Sequence, residues 1–259
     1  MEGARARAYY PEPVAEPLDI LIIEDDPSIN EVVCAHLERQ GRRCRQAFSG
    51  TEGLLQLQLR SPDLVICDLM LPGTTGEDIV AAIRRANAEL PIIVISARIT
   101  PADKTMLLKL GADDYLTKPF DLNELSARIE VQLRHRALRD RNTARNPRST
   151  GDGTLPAATH QPLRFRTWEL DPDGRTFAVA GSEIPLTRTE FNILELLMAR
   201  PSKVFTKQEL FELAWGEPYS VEDSTVSVHV SNLRRKLKPS GTDAYLQTVW
   251  GLGYKLSSQ

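Results

Sequence analysis

Four consecutive apolar residues, Leu64, Val65, Ile66 and Cys67, run into a single carboxylate, Asp68. The segment that holds them, residues 62–73 (PDLVICDLMLPG), admits few folds. A short apolar run without a charge reads as a strand buried on both faces, the situation of a parallel sheet. Pro72 and Gly73 close the segment as a turn. A carboxylate at the C-terminal end of a buried parallel strand lies where open α/β sheets place their chemistry. On this segment alone Asp68 reads equally well as a solvated loop aspartate, and the rest of the chain has to decide.

The same texture repeats over residues 18–138. Apolar strands are expected at 20–23, at 64–67 running into Asp68, and at 92–95, a short one at 114–117, and a more polar one at 43–48, towards a sheet edge. Helix signals separate them. Asp26-Pro27-Ser28 opens a helix that stops at Gly41, and helical spacing recurs at 50–60 and 77–88. Pro101 opens a helix ended by Gly111, and Asp121 caps the last, with Leu122, Leu125, Ile129 and Leu133 on one face. Five strands alternating with five helices predict a doubly wound α/β domain with a five-stranded parallel sheet.

The chain has 259 residues, room for about two domains. A net charge of −3 and 41% hydrophobic residues are those of a soluble globular protein. No run approaches the ~18 apolar residues of a membrane span, so a cytoplasmic protein without membrane contact is expected. Residues 1–17 lack the apolar core of a secretory signal and hold three prolines, which predicts a disordered extension. Cys34, Cys44 and Cys67 match no metal-binding spacing and read as reduced thiols.

Residues 139–161 lose the periodicity and are rich in Arg, Asn, Thr, Pro and Gly, which predicts a flexible linker. Residues 162–257 have a different pattern. Alternating stretches at 163–170 and 176–180 flank Asp173-Gly174, a hairpin signal, and 182–186 continues a small antiparallel sheet. Thr187 with Glu190, and Thr206 with Glu209, have the spacing of capping boxes and open two helices. After a loop at 215–222 a third helix is expected at 223–237, and Gly251-Leu252-Gly253 centres a terminal hairpin. An N-terminal antiparallel sheet, three helices and a hairpin describe a winged helix.

In a parallel sheet the C-terminal strand ends share one edge. Glu24 and Asp25 follow the first strand, Asp68 the third, Ser96 the fourth and Lys118 the fifth, so these groups can converge. Crowded carboxylates call for a hard divalent cation, and Mg²⁺ accepts one or two carboxylates, a carbonyl and waters. Lys118 supplies a point charge suited to a phosphoryl oxygen, and the Ser96 hydroxyl a hydrogen bond. An ionised aspartate is a competent nucleophile toward phosphorus once its charge is shielded.

The motifs IEDD at 23–26, CDLMLPG at 67–73, ISAR at 95–98 and DYLTKPF at 114–120 resemble the flavodoxin-like receiver domain of bacterial response regulators. The later motifs LTRTEFNILELL, VSVHVSNLRRKL and VWGLGYKL resemble the winged-helix effector of the OmpR/PhoB subfamily. The resemblance spans residues 18–138 and 162–257. It implies that Asp68 accepts a phosphoryl group from a sensor histidine kinase. Asp25 and Asp68 would bind Mg²⁺ directly, Met70 through its backbone carbonyl and Glu24 through water. Lys118, after which a cis Pro119 is implied, would pair with the phosphate. Ser96 and Tyr115 match the switch positions, through which the signal would reach a symmetric receiver dimer. Lys104 with Glu124, and Asp114 with Arg128, match that dimer's ion pairs. Asp26 aligns with an acid beside the metal pair and receives no role.

By the same resemblance the third helix reads DNA. Arg234, Arg235, Lys236 and Lys238 form a basic cluster on and beside it, suited to phosphates. Thr225, Ser227, His229, Ser231, Asn232, Arg234 and Arg235 are expected on the outer face. Asn232 matches a base contact and Val228 a thymine-methyl contact, while Thr225, His229 and Arg234 match phosphate contacts. Arg235 and Lys236 also fit a solvated face, and His229 a packed helix histidine. The hairpin, with Gly251 and Gly253, would be the wing laid along a minor groove, with Trp250 and Tyr254 read as core rather than contacts. Homodimers on direct repeats of double-stranded promoter DNA follow, with RNA polymerase as a further partner. Two rival readings stand beside this one. An aspartyl phosphatase needs a second acid two residues after the nucleophile, where Met70 stands, so an enzyme is not expected. A regulator that binds DNA without phosphorylation, its receiver used only for protein contacts, is the alternative.

Overall fold

The computed structural model describes residues 17–97, 100–144, 161–216 and 225–257; for Pro101, Ala102, Lys104 and residues 134–144 only the backbone is described. Residues 1–16 of the expected extension, 145–160 of the expected linker, 217–222 of the expected loop and 223–224 of the expected third helix lie outside the described residues.

The first domain runs β1 (Asp19–Ile23), α1 (Pro27–Arg39), β2 (Arg43–Ala47), α2 (Gly50–Leu59), β3 (Leu64–Asp68), α3 (Gly76–Ala86), β4 (Ile92–Ser96), α4 (Pro101–Leu110), β5 (Asp114–Thr117) and α5 (Leu122–Ala144). The five strands form one sheet in the order β2-β1-β3-β4-β5, every pair parallel. The polar strand β2 is at the edge, as its composition predicts. Strand residues alternate between two cores. Leu21, Ile23, Val65, Cys67, Ile92 and Val94 meet Ile79, Val80, Ile83 and Leu107 on one face. Ile20, Ile22, Leu64, Ile66, Ile93 and Ile95 meet Val33, Leu37, Leu125 and Ile129 on the other. Burial on both sides is why these strands carry no polar alternation, and each Ile, Leu or Val so buried contributes about 1.5–3 kcal/mol. Register pairs Ile23 with Cys67, Asp68 with Ile95 and Ser96 with Thr117, which aligns the strand ends on one edge.

Helix α5 continues past residue 138 to Ala144. Residues 139–144 (RDRNTA) have no apolar face, so periodicity could not show them as helix.

The second domain opens with a four-stranded antiparallel sheet: β6 (Leu163–Phe165), β7 (Trp168–Asp171), β8 (Thr176–Val179) and β9 (Ser182–Glu183). The single stretch expected at 163–170 is two strands, because Arg166 takes a left-handed conformation (φ 54°) and turns the chain back. Helix α6 (Arg188–Ala199), β10 (Phe205–Thr206), α7 (Lys207–Trp215), α8 (Thr225–Leu237), β11 (Leu246–Val249) and β12 (Gly253–Leu256) follow. Both expected capping boxes are present, at Thr187/Glu190 and Thr206/Glu209. Strands β10-β12-β11 form the winged hairpin sheet. The core of this domain joins Trp168, Phe177, Phe191, Leu194, Phe211 and Leu233. The two domains touch: α4 lies against α8, and Val131 of α5 joins the second domain's core. No helix among the described residues is long and apolar enough to cross a membrane.

Candidate functional site

The strand edge gathers the groups expected there. Carboxylate oxygens of Glu24, Asp25 and Asp68 lie within 4.8 Å of one another, with Glu24 and Asp68 buried and Asp25 exposed. Lys118 reaches them from the end of β5. Its Nζ is 2.5 Å from Asp68 Oδ2 and 2.8 Å from Glu24 Oε1. The Lys118–Pro119 bond is cis. The backbone N–H of Lys118 donates to the Ser96 carbonyl at 2.9 Å, which ties the end of β5 to the buried end of β4.

Asp68 is held at both oxygens: Met70 N–H donates to Oδ1 at 2.9 Å while Lys118 holds Oδ2. Burial, aided by the neighbouring Asp68 charge, pushes the Glu24 carboxyl above the usual carboxylate range, although the Lys118 ammonium opposes this. Burial works against the charge of Lys118, but hydrogen bonds to Asp68 and Glu24 outweigh it and hold the ammonium above its ordinary value. The ammonium also lies 2.7 Å from Glu24 Oε2, yet hydrogen-bond geometry is met only at Oε1, which leaves Oε2 buried without a hydrogen bond. Three clustered carboxylates with a spare buried oxygen fit a hard divalent cation. Asp26 faces away from that role: its side chain accepts from Ser28 and Ile29 N–H and caps α1.

Two residues of this edge escape a reading by motif. Asn30 is fully buried and donates to the Glu24 and Ala47 carbonyls at 2.9 and 3.1 Å, so it pins the loop that carries the acids. A polar residue on the apolar face of α1 was its only signal. Gly76, first residue of α3, sits so close that a Cβ there would strike the Asp68 carbonyl oxygen and lie 2.6 Å from Leu69 Cα. Its signal was a glycine inside the run PGTTGED.

The outer residues of the switch face are only partly as expected. Tyr115 is half-buried and packs with the α3/α4 core. Arg128 makes its ion pairs within the chain, to Asp114 at 2.8 Å and Glu124 at 2.9 Å. Asp114 is buried, and burial holds its carboxyl above the usual range against the pull of Arg128. The side chain of Lys104 lies outside the described residues.

The α8 helix departs most from expectation. Ser231 and Arg235 are exposed and Ser227 and Arg234 half-buried, but Thr225, Val228, His229 and Asn232 are buried. For Asn232 the reason is the receiver. Asn232 Nδ2 donates to the Leu108 carbonyl at 2.8 Å, and Arg235 to the Lys109 carbonyl at 3.3 Å. Thr189 of α6 donates to Asp113 Oδ1 at 3.4 Å, and Arg175 faces Glu89 at 3.6 Å. His229 is 0% exposed, edge-on to Trp215, and neither ring nitrogen has a hydrogen bond. Arg234 is spent on the wing, reaching the Leu246 carbonyl at 2.6 Å and Thr248 Oγ1 at 2.8 Å. Lys236 binds Glu190 at 2.6 Å. Tyr254 is core as expected, whereas Trp250, also read as core, is 91% exposed at the wing tip. It follows a strand whose side chains alternate, and the tight turn between β11 and β12 lifts it out of the sheet.

The chain matches two family models, "Response regulator receiver domain" over residues 20–130 and "Transcriptional regulatory protein, C terminal" over residues 181–256. It is 33% identical to the phosphate regulon transcriptional regulatory protein PhoB of Escherichia coli, over 93% of this chain and 98% of that one. It is 36% identical to the sensory transduction protein RegX3 of Mycolicibacterium smegmatis, over 92% and 98%. A solved structure of a mutant of RitR shares the fold with a TM-score of 0.69 at 24% identity, covering 93% of this chain and all of that one. A receiver model and an effector model matched in order along one chain, with relatives of 33–36% identity covered almost end to end, show that the chain belongs to the OmpR/PhoB-type response regulators.

Proposed function

We propose that this transcriptional regulator is switched by a phosphoryl group on Asp68, donated by a sensor histidine kinase. The observation that carries the reading is the edge itself. Asp68 is buried at a strand end, with an ammonium 2.5 Å from one oxygen and two further carboxylates within 4.8 Å. In the transfer the N–P bond of the phosphohistidine breaks and an O–P bond forms on the Asp68 carboxylate, while the leaving imidazole takes up a proton. Asp25, Asp68 and the Met70 carbonyl would hold Mg²⁺, with Glu24 behind a water; the bound ion supplies shielding of the carboxylates from the incoming phosphoryl oxygens. Lys118 then moves its ammonium from Asp68 to a phosphoryl oxygen, and the Ser96 hydroxyl approaches another.

The output is release of α8. The closed form buries Asn232 and His229 against the receiver and is incompatible with a helix seated in a major groove. That burial favours a phosphate-controlled regulator over the alternative that binds DNA without phosphorylation. Movement of the β4–α4 loop toward the phosphate, with Tyr115 turning inward, shifts α4 and withdraws the Leu108 and Lys109 carbonyls from α8. Freed of α8, the receiver face of α4, β5 and α5 makes a symmetric homodimer. Arg128 exchanges part of its internal pairing with Asp114 and Glu124 for the partner copy, and Lys104 joins it. Two effector domains then read direct repeats in promoter DNA through Asn232, Val228 and the phosphate-facing Thr225, Ser227, His229, Ser231, Arg234 and Arg235.

Incubation with acetyl phosphate and Mg²⁺, followed by intact-mass measurement, tests the reading. A phosphoryl adduct absent from Asp68→Asn is the expected result. An adduct that persists in Asp68→Asn, or DNA binding that no phosphodonor changes, refutes it.

A further inference from the structure

Helix α2 carries Leu54, Leu55, Leu57 and Leu59, and its packing uses only two of them. Leu54 and Leu57 sit against the core beneath the helix, whereas Leu55 and Leu59, one turn apart, are 55% and 73% exposed. The helix cannot roll to bury them. Gly53 lies so close to the Ile23 side chain, and Gly50 to the Thr74 carbonyl, that a Cβ at either would clash. One exposed leucine is ordinary on a surface, but two on adjacent turns make an apolar stripe.

The chain enters the sheet beside this stripe. The Leu18 carbonyl accepts from Arg43 N–H at 2.8 Å, and Asp19 N–H donates to Asp63 Oδ2 at 2.8 Å. The Asp19 carboxylate meets Arg60, the residue after Leu59, at 3.2 Å. Pro17 is exposed, so the residues before it set out from the C-terminal end of α2. Residues 8–16 (AYYPEPVAE) hold two tyrosines, two prolines and a valine. Their only charges are Glu12 and Glu16, while Arg43 and the half-exposed Arg60 flank the point of entry. From Pro17 to Tyr10 the chain can reach at most about 25 Å. The stripe from Leu59 to Leu55 is only about 6 Å long and begins next to that entry.

We propose that residues 9–14 of the chain's own N-terminal segment cover the α2 stripe. Val14 lies against Leu59, the two tyrosines lie across Leu55, and Glu16 lies beside Arg60. A segment too poor in apolar residues to fold alone orders against a face that is already built. Pro11 and Pro13 fix φ in advance, so less entropy is lost on docking. Tyrosine supplies a large contact area and keeps its hydroxyl in water. The short tether holds the segment at millimolar effective concentration, which favours it over a second copy of the chain. The contact is one of packing and stands apart from phosphoryl transfer.

In the full-length chain Tyr10 is replaced by the photoreactive p-benzoylphenylalanine, and the irradiated protein is mapped by mass spectrometry. The expected product is a cross-link within one chain to residues 51–60. Leu55→Ser with Leu59→Ser should lower its yield about tenfold. Both positions are exposed, so this variant keeps the fold, which unchanged amide exchange in β3 and α3 verifies. Tyr9→Ser with Tyr10→Ser leaves α2 itself untouched, and the amides of residues 56–60 should then exchange about fivefold faster. Cross-links that map only to other elements overturn the proposal, as does a yield or an exchange rate that these substitutions leave unchanged. A product with the mass of two chains overturns it in favour of a second copy on the stripe.

Discussion

The side-chain amide of Asn232 on α8 donates to the backbone carbonyl of Leu108 on α4 at 2.8 Å. Next to it Arg235 donates to the Lys109 carbonyl. Both carbonyls lie in the last turn of α4, the negative end of the helix, where cations are favoured, and the Leu108 carbonyl also accepts from the Gly111 N–H that caps the helix. Helix α8 thus supplies side-chain donors to the C-terminal turn of α4. On the proposed function Asn232 cannot hold the Leu108 carbonyl and read a base at once, so opening and DNA recognition would compete for one amide.

Contacts that belong only to the seam should tune this competition. Thr189→Ala with Glu89→Ala removes the hydrogen bond to Asp113 and the ion pair to Arg175. One long hydrogen bond to a carboxylate and one partly exposed pair together contribute on the order of 1 kcal/mol. The unphosphorylated double variant should bind DNA about fivefold tighter than wild type, with no change once both are phosphorylated. Fluorescence anisotropy in each state measures this, and an equal shift in both states would place the effect outside the seam.

Among the described residues, Lys118 is the cation at the acid edge within reach of both Glu24 and Asp68. Lys118→Met leaves two buried carboxylates facing each other and should cost about 3 kcal/mol in unfolding free energy. Added Mg²⁺ should recover more midpoint temperature in this variant than in wild type, because ligand binding to the folded state stabilises it by mass action. Thermal unfolding with and without Mg²⁺ reads both effects. A variant with the wild-type response to Mg²⁺ would place the ion away from these carboxylates.

Gly76→Ala should displace the end of β3, since the added methyl meets the Asp68 carbonyl oxygen and Leu69 Cα. Backbone cannot yield as a flexible side chain does, so a loss of about 1–3 kcal/mol is expected. The rate of phosphorylation by acetyl phosphate should fall as well, because Asp68 itself moves. A variant that is less stable yet phosphorylated at the wild-type rate would show that Gly76 serves packing alone.

His229 makes the closed form sensitive to acid. Burial holds its ring below the ordinary histidine value. The facing carboxylates Glu190 of α6 and Asp113 before β5 oppose this, while Arg84 of α3 and Lys236 of α8 reinforce it. The closed state therefore binds fewer protons than an open state with a solvated ring. Its advantage is fully present above the ordinary value, about 6.5, and is lost as pH falls below it. Small-angle scattering on the unphosphorylated chain should show a larger radius of gyration near pH ~5.5 than near pH ~7.5. His229→Leu should stay compact at both.

Much of the receiver was legible because its rules are local. Apolar runs without charge gave buried strands, Asp26, Pro101 and Gly111 bounded helices, and strand order in a parallel sheet brought Asp68, Glu24, Asp25 and Lys118 to one edge. In the second domain the capping boxes at Thr187 and Thr206 did the same. What periodicity missed lacked an apolar signal: the last turns of α5, the split at Arg166, and the exposure of Trp250 at a turn that two glycines shape.

From sequence alone came the two domains, their cores and the convergence of Glu24, Asp25, Asp68 and Lys118 at one sheet edge, since each depends on spacing along the chain. Only the tertiary structure decided which polar residues of α8 are exposed. Asn232 is polar enough for a groove and small enough for a seam, and its partner is the Leu108 carbonyl of α4, more than a hundred residues earlier, which no local pattern in α8 can reveal.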